Sequence, residues 1–197
     1  MPRTKEKFDE MRLVTIEKIK QAGLHLFAKK GLAATNIKEI AKTANVSLGL
    51  IYHYYKSKDD LYLALANEAM DKSALVLDEL HNMYANAAEK LEAFTEIFLN
   101  AVNKEDGIYY FILISQLSET NSPEENKSLL DRKLQSIQNL ALIVKEGQKS
   151  GECVDGDAFQ LAATFISATQ GIASFKLMFG DPFPIPTKEV LLRTLLK

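Results

Sequence analysis

The stretch from Thr35 to Lys58, TNIKEIAKTANVSLGLIYHYYKSK, constrains this chain more than any other. Ile37, Ile40, Ala41 and Ala44 recur at helical spacing, and Thr35 is placed to cap the helix they define. Asn45 tolerates the left-handed conformation that closes a helix, and Ser47 is the next natural N-cap, so only a few residues separate the first helix from a second. In the second helix Val46, Ile51 and Tyr55 would face back onto the first, leaving Leu48, Gly49, Leu50, Tyr52 and His53 around an outward face. Two short helices at this separation form a helix-turn-helix, and the outward residues are those that would reach base edges in a major groove.

Over Ile19 to Leu61 the chain resembles the tetracycline-repressor (TetR) family of transcriptional regulators. The residues that carry the resemblance are Leu26-Phe27 and Gly31 closing a first helix, Thr35, Ile40-Ala41, Val46-Ser47, Gly49, Ile51-Tyr52, Tyr55, and Ser57-Lys58 leading into Leu61. The resemblance implies an all-α fold, with a three-helix DNA-binding unit over residues 1–57 and a helical bundle over 58–197 for ligand binding and dimerisation. It also implies phosphate contacts at Tyr54 and Lys58, beside the helix N-termini at Thr35 and Ser47. Leu48, Gly49 and Leu50 depart from members with polar residues there: they offer thymine-methyl contact and close backbone approach, and leave hydrogen bonding to Tyr52 and His53. Readout of DNA shape is the natural complement.

Charge is divided along the chain as this reading requires. Residues 1–60 carry 12 Lys and Arg against 7 Asp and Glu, whereas residues 61–197 carry 12 against 19. The basic part therefore coincides with the helix-turn-helix, while Arg3, Lys5 and Lys7 lie in a polar terminus expected to fray, a short basic arm on the DNA backbone being the alternative. Cys153 is the sole cysteine, which excludes an intrachain disulfide and a cysteine-based zinc site. No signal-peptide pattern and no run of about 20 apolar residues is present, so the expected compartment is the cytoplasm.

Upstream of the motif a helix is expected from Leu13, with Ile16, Ile19, Gly23 and Phe27 on one face and Gly31 as its stop. Downstream, Ser57 and Asp60 make a capping box for a long helix to about Tyr84, which would join the two halves. Aromatic-rich helices follow over 88–103 and 106–119. Ser122-Pro123-Glu124-Glu125 then opens a helix that runs to Gly151. The helix over 158–179 is apolar on two sides, one stripe containing Phe165 and Ile172. A second subunit would cover that stripe, together with Leu191, Leu192 and Leu195 of a last helix, giving a homodimer.

Catalytic and metal-bound readings find little support. His25, His53 and His81 have no metal-site spacing, no glycine-rich phosphate loop is present, and the turn around Asp155 and Asp157 is too short for a calcium loop. Neither an enzymatic reaction, a cofactor nor a metal is expected. Phe94, Phe98, Tyr110, Phe111, Gln116, Asn139 and Gln170 form a mixed aromatic and amide set suited to a small-molecule pocket, an assignment that rests on the resemblance. With no charged residue in that set, the expected effector is a largely apolar small molecule. The expected function is therefore a dimeric repressor that leaves a near-palindromic operator when such an effector binds. An all-α carrier or enzyme with a purely structural helix-turn-helix, and a DNA binder without an effector, are the alternatives.

Overall fold

The computed structural model describes residues 5–117 and 120–197, and every regular element among them is helical. In chain order these are α1 (Lys5–Ala34), α2 (Ile37–Thr43), α3 (Leu48–Tyr54), α4 (Lys58–Met83), α5 (Ala87–Val102), α6 (Glu105–Ser115), α7 (Pro123–Ser150), α8 (Ala158–Phe179) and α9 (Lys188–Leu192). Arg3 and residues 118–119 lie outside the described residues, and α6 stops at Ser115, short of the helix expected over 106–119. α1 begins at Lys5 rather than Leu13, and its first turns leave Phe8, Leu13 and Val14 exposed. The apolar periodicity that marks a helix in sequence comes from burial, so a solvated helical turn lacks the signal.

The capping chemistry is local and largely as read. Gly31 has φ 75° and ψ 167°, kinking the end of α1 in a conformation that favours glycine. Asn45 takes φ 54° in the turn between α2 and α3. The Ser57 hydroxyl accepts the Asp60 amide while the Asp60 carboxylate accepts the Lys56 amide, a near-variant of the reciprocal cap. Gly151 closes α7 in the left-handed conformation.

One helix ties the fold together. α1 packs on α2, α4 and α6 at once, burying Ile19, Leu24 and Phe27. Phe27 meets Tyr62 of α4 edge-on at 5.4 Å, and a Cβ on Gly23 would lie 3.0 Å from Leu61, so α1 and α4 approach closely at that glycine. Farther along α1, His25 meets Tyr109 of α6 edge-on at 4.9 Å, and Lys29 lies 5.6 Å from the same ring. The helix-turn-helix is thus fastened to the bundle through α6 as well as through α4.

The residues expected at the dimer interface lie inside the chain. Phe165 is 1% exposed and packs on Phe94, and Ile172 is buried. Leu191, Leu192 and Leu195 are buried where α9 covers α5, and the Leu195 carbonyl accepts the Val154 amide at 2.9 Å. Periodicity identifies a stripe that must be covered but not what covers it. The exposed apolar residues of this region are instead Leu130, Leu134 and Leu142 on α7 and Phe175, Met178 and Phe179 on α8, two helices packed side by side.

Candidate nucleic-acid interface and inner cavity

The short helices α2 and α3 owe their placement to a few apolar anchors. Ile40, Ala41, Ala44, Ile51 and Tyr55 are buried together, with Val46 partly so. Ser47 caps α3, its hydroxyl accepting the Leu50 amide at 3.2 Å. The cap of α2, however, is Asn36: its Oδ1 accepts the Lys38 amide at 2.9 Å. Thr35 is only 3% exposed, and its hydroxyl donates inward to the Gly31 carbonyl at 2.7 Å. The cap and surface role expected of Thr35 therefore belongs to its neighbour. Both residue types cap well, and only the path of the chain out of α1 decides between them.

On the outer side of α3, Gly49, Tyr52 and His53 are exposed, with Tyr52 50% accessible, whereas Leu48 and Leu50 are half-buried. A Cβ built on Gly49 would meet nothing within 4 Å. No packing requirement inside the chain calls for glycine there. Tyr54 is half-buried, its ring touched by His53 at 5.0 Å and by the Arg12 guanidinium at 6.0 Å. Lys58 turns inward: its Nζ donates to the carbonyls of Leu32 at 2.7 Å and Thr35 at 3.0 Å, closing the end of α1. Beside it, Asn36, Tyr52, Lys56 and Ser57 line an open depression of about 500 Å³ with Lys58 at its base. Lys56 is exposed there, and Arg12 of α1 adds a cation beside Tyr54. Sequence reasoning passed over Asn36, Lys56 and Arg12. The alternation of cations with turn residues around the motif was the available signal.

A second feature lies within the bundle. Ala69, Lys72, Val76, Ile97, Tyr110 and Phe111 are among the residues around an apolar cavity of about 220 Å³ between α4, α5 and α6. A smaller lobe of about 60 Å³ adjoins it, bounded by Lys133, Ser136, Ile137, Ile166, Thr169 and Gln170 from α7 and α8. Both lobes share Ser73, Phe94, Phe98, Phe111 and Ile114, with Phe98 and Phe111 in edge-on contact at 5.1 Å. Of the residues expected at a ligand site, the structure brings Phe94, Phe98, Tyr110, Phe111 and Gln170 to this cavity. Gln116 lies elsewhere, beside Lys30 and Met178, and Asn139 pairs with Gln135 on an exposed part of α7.

The lining carries charge that the sequence did not disclose. Lys72 lies 4.2 Å from the Tyr110 ring centroid and pairs with Glu68 one turn earlier. Glu68 also pairs with Lys20 of α1 and accepts the Tyr110 hydroxyl at 3.2 Å. Burial works against its charged form, but the two ammonium groups outweigh it and hold its carboxyl at about 2. One carboxylate thus joins α1 to two residues of the cavity wall. Among the described residues, no group of three or more His, Cys, Asp and Glu could hold a metal ion, and no helix is long and apolar enough to cross a membrane.

A helix-turn-helix with an exposed reading face, fastened to a helical bundle with an inner cavity, defines the class of helical DNA-binding regulators. Residues 19–65 match the family described as bacterial regulatory proteins, tetR family. The chain is 29% identical over 149 residues to the fatty acid metabolism regulator protein of Bacillus subtilis, covering 75% of each chain. It is 28% identical over 166 residues to the transcriptional regulator QacR of Staphylococcus aureus, covering 81% of this chain and 84% of the relative. The solved structure of AibR in complex with isovaleryl coenzyme A and operator DNA superposes with a TM-score of 0.71 at 20% identity, covering 91% of this chain and 94% of the other. The tetR-family match thus falls on the helix-turn-helix unit, and the chain is a transcriptional regulator.

Proposed function

We propose that this regulator is a one-component repressor in which residues 1–57 bind a near-palindromic operator and residues 58–197 bind a small, largely apolar effector that releases it. The observation that carries the reading is the cavity between α4, α5 and α6, whose wall includes α4, the helix that follows directly on the helix-turn-helix. Its large relatives are regulators, and one structural neighbour was solved with both an acyl thioester and operator DNA. Nothing in the site calls for a catalytic step, and the place of action is the cytoplasm, where the operator is.

The working unit is a homodimer through the exposed faces of α7 and α8. Two-fold symmetry would then set two α3 helices roughly 34–36 Å apart, one turn of DNA. Base contact falls to Gly49, Tyr52 and His53 with the exposed edges of Leu48 and Leu50. Backbone contact falls to Ser47, Asn36, Lys56 and Tyr54, while Lys58 holds the groove in shape. Effector binding acts by favouring a different seating of α4 and α6, both of which grip α1.

Selection of bound fragments from genomic DNA, followed by mobility-shift assays, would identify the operator. Linkage then gives the decisive measurement: an effector that weakens operator binding must itself bind more weakly in the presence of operator, by the same factor. Couplings of this kind are typically about 1–3 kcal/mol. Equal effector affinity with and without operator would leave a DNA-binding regulator whose cavity is not the switch.

A further inference from the structure

The smaller lobe of the cavity holds a cation that no carboxylate among the described residues neutralises. Lys133 is half-buried on α7, and its Nζ has one hydrogen-bond partner among the described residues, the Ser115 carbonyl at the end of α6, at 3.3 Å. No carboxylate among them forms an ion pair with it, whereas Lys72 of the larger lobe is ion-paired with Glu68. Among the described residues, no acidic side chain lines either lobe. The other polar groups there divide by role. The hydroxyls of Ser136 and Thr169 are spent on the Arg132 and Ile166 carbonyls, while Ser73 and Gln170 make no such bond among the described residues and retain donors.

A lysine drawn from water into an aromatic and aliphatic wall loses hydration that a nearby anion would restore. Burial accordingly pushes the Lys133 ammonium below its ordinary range. A neutral ligand filling the lobe would complete that desolvation without offsetting it. An anion would convert the same desolvation into a charge-assisted hydrogen bond. The size of the lobe limits that anion to a compact group, and the adjoining larger lobe is apolar.

We propose that the effector is an amphiphilic monoanion whose carboxylate sits against Lys133 in the lobe between α7 and α8, with its apolar body between α4, α5 and α6. This rests on the cavity being the effector site and narrows the effector from a largely apolar molecule to one with a single negative end. Ser73 and Gln170 supply further donors to the carboxylate. Lys72 stays with Glu68 and is not the anchor.

Isothermal titration of the full chain with octanoate and with octan-1-ol, matched in length and differing in charge, tests the assignment. Octanoate should bind the wild type more tightly, by roughly ten- to hundredfold, the affinity equivalent of one hydrogen bond to a charged group. Lys133→Met, which keeps the length of the side chain, should remove that preference while leaving octan-1-ol binding in place, and Lys72→Met should retain the preference. Equal or tighter binding of octan-1-ol by the wild type would overturn the carboxylate and leave an apolar effector site standing. Unchanged octanoate binding by a folded Lys133→Met would overturn the role of Lys133. Binding of neither compound would overturn both this assignment and the reading of the cavity as an effector site. The wild-type comparison decides the charge question even if the variant does not fold.

Discussion

Gly49 and the lysine pair at 56 and 58 separate what serves the DNA from what serves the fold. Among the described residues, nothing beyond the neighbouring backbone of α3 comes within 4 Å of a Cβ at Gly49, so Gly49→Ala should fold normally and gain up to about 1 kcal/mol from reduced backbone entropy in α3. If the glycine lets the backbone approach a base pair closely, the same methyl should weaken operator binding by roughly tenfold. Thermal unfolding and mobility-shift titration of the one variant check both halves, and undiminished operator binding would remove Gly49 from the interface. Lys56→Ala should leave stability unchanged and flatten the slope of log affinity against log salt by roughly 0.9, as the loss of one phosphate contact requires. Lys58→Ala should instead destabilise the fold by about 1.5–3 kcal/mol, because it removes a charged donor from the carbonyls at the end of α1. The motif was legible at this scale down to the Ser47 cap and the left-handed Asn45. The inward turn of Lys58 and Thr35 was not, because a side chain's direction depends on where another helix ends.

At the scale of elements, the contact among α1, α4 and α6 is where a cavity event would reach the DNA-binding unit. Glu68 stands at its centre, between Lys20 on one side and Lys72 with Tyr110 on the other. Its carboxyl is held at about 2, below the ordinary value of 4.5, so its contribution to stability is fully present above about 4.5 and is lost as the pH falls toward 2. Glu68→Gln should therefore differ most from the wild type near neutral pH, and the two denaturation midpoints should converge on acidification across that window. A constant difference would mean that Glu68 contributes packing rather than charge. The sequence offered α4 as the continuous link between the halves. It gave no sign that α6 grips α1 as well, since Tyr109 is far in sequence from His25 and Lys29 and nothing local pairs them.

For the whole molecule, the exposed faces of α7 and α8 and the buried position of Phe165 lead to opposite expectations for two substitutions. Phe175→Glu places a charge among exposed apolar residues beside Phe179 and Phe183, and should yield a folded monomer with weakened operator binding. Phe165→Glu buries an unpaired carboxylate against Phe94 and should cost several kcal/mol, unfolding the chain rather than dividing a dimer. Sedimentation with circular dichroism distinguishes the two. A Phe175→Glu protein that sediments as the wild type does would move the interface elsewhere.

What the sequence determined by itself was most of what is local, though not the start of α1 or the cap of α2. Apolar spacing, N-caps, glycines and prolines fixed the helices and the helix-turn-helix, because helix formation and capping are settled within a few residues. It also determined the separation of charge between the halves. Tertiary structure alone decided which apolar stripe is core and which faces outward, exchanging Phe165 and the α9 leucines for the faces of α7 and α8. It also decided that Lys72 and Lys133 stand in the cavity wall among residues that read as apolar. A lysine's long apolar stem lets it sit on either side of a helix, and only the neighbouring helices determine whether its ammonium meets water, Glu68 or the lobe between α7 and α8.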